Sequence, residues 1–123
     1  MSRVFVYGTL KMGWGNNHRI LGEAEFVGEA ETLGKFKLVD VGFPYALCLD
    51  GPDTYPVRGE VYEVNQGEEM MMDILEGIPH HYQKVEVETT LGPCLMYVIV
   101  EPEFFHNNQQ TCPVIKGAYE WQP

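Results

Sequence analysis

Basic residues are scarce in this chain: 8 Lys and Arg stand against 18 Asp and Glu, a formal net charge of −10 over 123 residues. A charge of that sign repels nucleic-acid phosphates and anionic membrane surfaces, so neither is expected as a partner. Cysteine is sparse as well. Cys48, Cys94 and Cys112 lie far apart with no Cys-x-x-Cys pair, a pattern that suggests neither a zinc site nor a disulfide framework and suits a reducing compartment. No apolar run approaches the roughly 20 residues that a membrane helix requires. The N-terminus opens at once on a strand-like run, without the basic flank and small-residue cleavage pattern of a targeting segment. Also missing are a Ser-His-Asp signature and a glycine-rich phosphate loop. These absences describe a soluble, cytoplasmic protein.

At 123 residues the chain is expected to form one domain spanning 1–123, long enough to bury a core. After an opening strand, the glycine- and asparagine-rich stretch 12–17 reads as a loop, leading into a short helix near 18–21. Segments 24–32, 34–41, 45–50, 57–64, 82–90 and 94–101 alternate apolar and polar residues between Gly and Pro, and read as strands. Residues 65–76 are the exception. Asn65 caps a helix with Glu68 three positions on, Met71, Ile74 and Leu75 supply its apolar face, and Gly77 and Pro79 stop it. The run Met70-Met-Met72 reads as core filling, Cys48 and Cys94 as inert core residues, and the polar tail 103–110 as irregular. The fold class is therefore α+β: a small curled mixed β-sheet or barrel with one or two helices.

Two local features carry chemistry. Residues 4–10 read Val-Phe-Val-Tyr-Gly-Thr-Leu, a strand that runs straight into a turn carrying Tyr7, Gly8, Thr9 and Leu10. A tight strand end of this kind points amide N–H groups outward, and oriented amides hold an anion or a developing oxyanion; an ordinary first strand with a turn glycine has the same sequence. Glu76 sits in the last helical turn, where the macrodipole disfavours a carboxylate. With apolar Ile74, Leu75 and Ile78 nearby, its pKa is expected to rise from about 4.3 toward the range of a general base. The plain alternative is a solvated glutamate at a helix end. His80-His81 are adjacent on a loop, point in different directions and have no companion cluster, so no metal is expected.

Taken together, the chain resembles the gamma-glutamylcyclotransferase-like family, and within it the small gamma-glutamylamine cyclotransferases. The resemblance is carried by Val4-Phe-Val-Tyr-Gly-Thr-Leu-Lys11, Asn16-Asn-His18, Gly59-Glu-Val-Tyr-Glu-Val64 and Met72-Asp-Ile-Leu-Glu-Gly77 followed by Tyr82, with weaker echoes at Tyr97 and from Gly117 to Trp121. It implies that Tyr7, Gly8, Thr9 and Leu10 cradle a small-molecule gamma-glutamyl substrate and that Glu76 is the catalytic acid/base. Tyr82 and Tyr97 are further candidates for binding the substrate, and Asn17 and His18 weaker ones. The implied reaction is an internal cyclisation, in which the substrate's α-amine attacks its own γ-carbonyl, forming 5-oxoproline and releasing an amine. That needs no cofactor and no metal, only a proton shuttle, a folded substrate and oxyanion support. One departure is Gln83-Lys84 after Tyr82, where relatives often place an arginine. A binding module of the same fold without turnover and an interaction protein with an acidic working surface are the competing classes.

Overall fold

Val4, Phe5 and Val6 are all buried, so β1 (Ser2–Val6) is covered on both faces, as a strand in the middle of a sheet must be. It pairs antiparallel with β5 (Arg58–Val64), in the register Val6↔Glu60, and parallel with β7 (Gly92–Val98), in the register Phe5↔Met96. The computed structural model describes residues 1–8, 11, 17, 20–40, 44–47, 54–76, 83–98 and 110–121. With β2 (Glu25–Glu31) and β6 (Gln83–Thr89), these strands make a five-stranded sheet of order β2-β5-β1-β7-β6. A second sheet of order β4-β3-β8 comprises β3 (Lys37–Asp40), β4 (Pro44–Leu47) and β8 (Gln110–Thr111). Gln110 thus belongs to a strand and not to an irregular tail, because its backbone pairs with Asp40. Residues 103–109 lie outside the described residues.

The large sheet curls until its two edge strands meet. Thr32, just past β2, bridges Thr89 at the end of β6, Leu33 N donates to Glu88 O at 2.9 Å, and Thr90 N donates to Glu31 O at 2.9 Å. A bulge between Phe26 and Gly28 in β2 supplies part of the bend. Closing the edges in this way removes unpaired backbone groups that would otherwise template another strand. A last hairpin joins β9 (Val114–Ile115) to β10 (Ala118–Tyr119). Its two turn residues, Lys116 at φ 51° and Gly117 at φ 83°, have the paired positive φ that a two-residue hairpin turn demands.

Two apolar clusters flank the central sheet. Phe5, Tyr7, Val61, Met96 and Val98 pack with Leu38, Val57, Tyr119 and Trp121. Val4, Val6, Tyr62, Val64 and Tyr97 pack on the other face with Ile20, Leu21 and Met72. The helix α1 (Gln66–Glu76) covers this second face. Its start is the reciprocal cap read from the sequence: Glu68 N donates to Asn65 Oδ1 at 2.8 Å, and Asn65 N donates to Glu68 Oε1 at 2.9 Å.

The apolar face expected of α1 is wrong. Met71, Ile74 and Leu75 are 48%, 69% and 36% exposed, and Met70 is exposed too. Of the methionine run only Met72 fills the core. The helix is rotated so that Glu69, Met72 and Asp73, at i, i+3 and i+4, meet the sheet. The cause is polar: β6 and β7 offer these carboxylates an ammonium and a hydroxyl, described below. Cys94 is buried as expected, and burial raises its thiol pKa; Cys48 lies outside the described residues.

Gly59 in β5 is needed for space. A Cβ there would stand 2.3 Å from Val6 O and 2.8 Å from Phe5 Cζ, both parts of the most deeply buried strand. Gly59→Ala is therefore expected to lower the unfolding free energy by about 1–3 kcal/mol, the range for overpacking a tight core. Chemical denaturation of the two proteins reads this directly; an unchanged midpoint would contradict the packing described.

Candidate active site

The chain direction sets the start of α1 beside the start of β1. β5 ends at Val64, the register partner of Ser2, and α1 begins two residues later, with Gln66 and Ser2 lining the same surface groove. From there α1 runs back in the direction of β1. Eleven helical residues and five strand residues each span roughly 16 Å. Asp73 reaches Tyr97, and Tyr97 lies one residue beyond Met96, the partner of Phe5, which is the level of Val6. Glu76 follows Asp73 by three residues, as the last residue of α1.

Tyr7 is buried. Its hydroxyl donates to Tyr97 O at 2.6 Å and accepts from Ala46 N at 3.3 Å, tying the ends of β1 and β7 to β4. Lys11 N donates to Gly8 O at 2.9 Å, drawing together the ends of the 8–11 segment. Lys11 Nζ donates to Trp121 O at 3.2 Å, which fixes the chain end against this strand terminus. Thr9, Leu10 and Tyr82 lie outside the described residues, as do His18 and His80-His81; for Glu76 the description covers the backbone.

Tyr97 is buried, and its hydroxyl donates to Asp73 Oδ1 at 2.6 Å, which ties β7 to α1. Lys84, the cross-strand partner of Tyr97, donates to Asp73 at 3.1 Å and to Glu69. Burial alone lowers the Lys84 ammonium pKa, but the hydrogen bonds and charges of Glu69 and Asp73 outweigh it and hold the group above the ordinary lysine value. Lys84 is thus occupied in balancing helix carboxylates.

On the other side of β1, Asn17 Nδ2 donates to the Tyr62 hydroxyl at 2.9 Å, and that hydroxyl donates to Glu60 Oε1 at 3.1 Å. Asn17 belongs to the segment that follows the turn, so the phenol pins that segment to β5. Burial raises the Tyr62 pKa most; the Asn17 bond opposes it, and the charge and bond of Glu60 add to it, giving about 12. Among the described residues no group of three or more His, Cys, Asp or Glu is arranged to hold a metal ion, and no helix is long and apolar enough to cross a membrane. Sequence reasoning missed Asp73, Glu60 and Tyr62 as parts of the site. The acidic spacing 69, 73, 76 on one helical face was the signal available for Asp73.

A curled mixed β-sheet with the helix α1 laid on one face, its carboxylates Glu69 and Asp73 turned onto the sheet, defines the class of fold. It is shared with an AIG2-like protein from Mus musculus, 28% identical with a TM-score of 0.73, covering 100% of this chain and 96% of that one. A protein from Pyrococcus horikoshii is 32% identical with a TM-score of 0.67, covering 82% of this chain and 80% of that one. The family model described as "Gamma-glutamyl cyclotransferase, AIG2-like" matches residues 4–122, and the chain belongs to that family. It is also 38% identical over 122 residues to the gamma-glutamylaminecyclotransferase of Bos taurus, covering 86% of this chain and 71% of that protein.

The two perturbed groups that brace the site give a pH dependence with a definite sign. Tyr62 has a folded pKa near 12 against an ordinary 10.0, so its contribution to stability is complete below pH 10 and disappears as pH rises toward 12. Lys84, also raised, contributes fully below its ordinary 10.5 and loses the contribution above it. The urea midpoint is therefore expected to fall from about pH 10 upward. Tyr62→Phe and Lys84→Met should each flatten part of that fall; identical pH profiles in all three proteins would contradict these assignments.

Proposed function

We propose that the protein is a cytoplasmic cyclotransferase, acting as a single domain over 1–123, that converts a gamma-glutamyl amine or peptide to 5-oxoproline and a free amine. The observation that supports it is the match of the gamma-glutamyl cyclotransferase family model to residues 4–122, together with the bonds by which Tyr97 joins Asp73 of α1 and Tyr7 at the end of β1. The name of the Bos taurus relative supports an amine as the group released.

In this reading the substrate's carbonyl and carboxylate oxygens are held by backbone amides of Tyr7, Gly8, Thr9 and Leu10, with Tyr82 flanking the site. The α-amine attacks the γ-carbonyl carbon. One C–N bond forms, and the bond to the departing amine breaks. Glu76 takes the proton that the attacking amine sheds and returns it to the leaving nitrogen, so no water is consumed and the carboxylate is regenerated. The amides carry the oxyanion between the two steps, while the folded shape of the bound chain supplies the proximity. No cofactor or nucleic acid enters the reaction, which is an acyl transfer within one molecule.

Two outcomes test this. Glu76→Gln keeps the side-chain shape and removes a charge from the negative end of α1, so it should melt at or above the wild-type temperature while losing roughly 10²–10⁴-fold in kcat. A panel of gamma-glutamyl amines followed by mass spectrometry should yield the five-membered lactam, and N-acetylated members should not react, since their nitrogen is no longer nucleophilic. Free glutamate as the main product, turnover of the blocked compounds, or an inert wild-type protein across the panel would overturn the proposal.

A further inference from the structure

The rotation of α1 is unfavourable on packing grounds. Burying Met71, Ile74 and Leu75 would remove far more apolar area from water than the present contact through Met72, yet the sheet receives Glu69 and Asp73 instead. A local rule broken at this cost points to a constraint other than stability. Among the described residues, Tyr97 is bonded to both halves of the candidate site. Its hydroxyl, 2.6 Å from Asp73 Oδ1, reaches α1 one turn before Glu76. Its carbonyl accepts the Tyr7 hydroxyl, also at 2.6 Å, at the end of β1. The ring between these two bonds is immobilised in the cluster that holds Val6 and Met72, making it a rigid spacer. Lys84, directly across on β6, binds the same Asp73 carboxylate and keeps it aligned.

We propose that Tyr97 is a positioning residue: through Asp73 it sets where the last turn of α1, with Glu76, stands relative to the Tyr7–Gly8 backbone. The inference rests on the reading of Glu76 as the acid/base. A proton shuttle must come within about 3 Å of both nitrogens it serves, and a displacement of about 1 Å lowers rates by up to 10²-fold. A hydroxyl that touches neither substrate nor Glu76 can therefore govern turnover.

The experiment compares kcat and KM for Tyr97→Phe, Asp73→Ala, the double variant and Asp73→Asn, with circular dichroism melts to establish folding. Tyr97→Phe keeps the ring, its packing and the carbonyl that holds Tyr7. It and Asp73→Ala should each lower kcat by roughly 10–100-fold with KM within about threefold of wild type, and the double variant should lose no more than either single one. Asp73→Asn, which still offers an oxygen to the Tyr97 hydroxyl, should recover most of the loss. In a Glu76→Gln background, Tyr97→Phe should have no further effect, whereas a merely structural role would lower the residual rate again. A wild-type kcat for folded Tyr97→Phe beside an inactive Glu76→Gln, or additive losses in the double variant, would overturn this inference and leave the acid/base reading standing. A fully active Glu76→Gln, or a wild-type protein inert on the gamma-glutamyl panel, would overturn both. Should Tyr97→Phe not fold, equal losses in Asp73→Ala and Asp73→Asn would overturn the inference.

Discussion

A charge-assisted hydrogen bond between a helix carboxylate and a buried phenol, Asp73 to Tyr97, sets the attitude of α1 on the sheet. Seen from the helix alone, the acidic stripe belongs in water and the Met71, Ile74 and Leu75 stripe belongs inside. The sheet reverses that preference by presenting a hydroxyl from β7 and an ammonium from β6 at adjacent register positions. Leaving the buried hydroxyl unmet would carry a desolvation penalty. The helix turns Glu69 and Asp73 inward, onto Lys84 and Tyr97.

β1 is the other fixed point. It is covered on both sides and bonded on both edges, and Gly59 lets the neighbouring strand close to within a distance that no side chain tolerates. Tyr7 and Gly8, which continue directly from this strand, inherit its precision. The hairpin of β9 and β10 and the bond from Lys11 to Trp121 add support from the far end of the chain. Support of this kind lies outside the turn and shapes it nonetheless.

Much of this was legible in the sequence. The alternation in β5 and β6, the Asn65 and Glu68 cap and the strand-to-turn passage at Tyr7 and Gly8 are local signals, and local physics decides them. The rotation of α1 was not legible, because helical periodicity measures apolar residues against water and has no means of knowing that Tyr97 and Lys84 wait on the opposing sheet. The same blindness hid Tyr62, whose importance comes from Asn17, 45 residues away in the chain. The hairpin at Lys116 and Gly117 rests on two-residue strands too short to show a period. Polar partners brought together by topology leave little trace in a one-dimensional pattern.

Within the five-stranded sheet the central strand comes first in the chain, and its parallel neighbour comes last. Val4 pairs with Leu95, so at ordinary synthesis rates of about 5–20 residues per second the apolar segment around Phe5 waits roughly 5–20 s for one of its two flanking strands. Throughout that interval it offers an open, strand-forming edge to other nascent chains. The same central position that makes β1 rigid in the folded protein leaves one of its edges unpaired until residue 95 has been made.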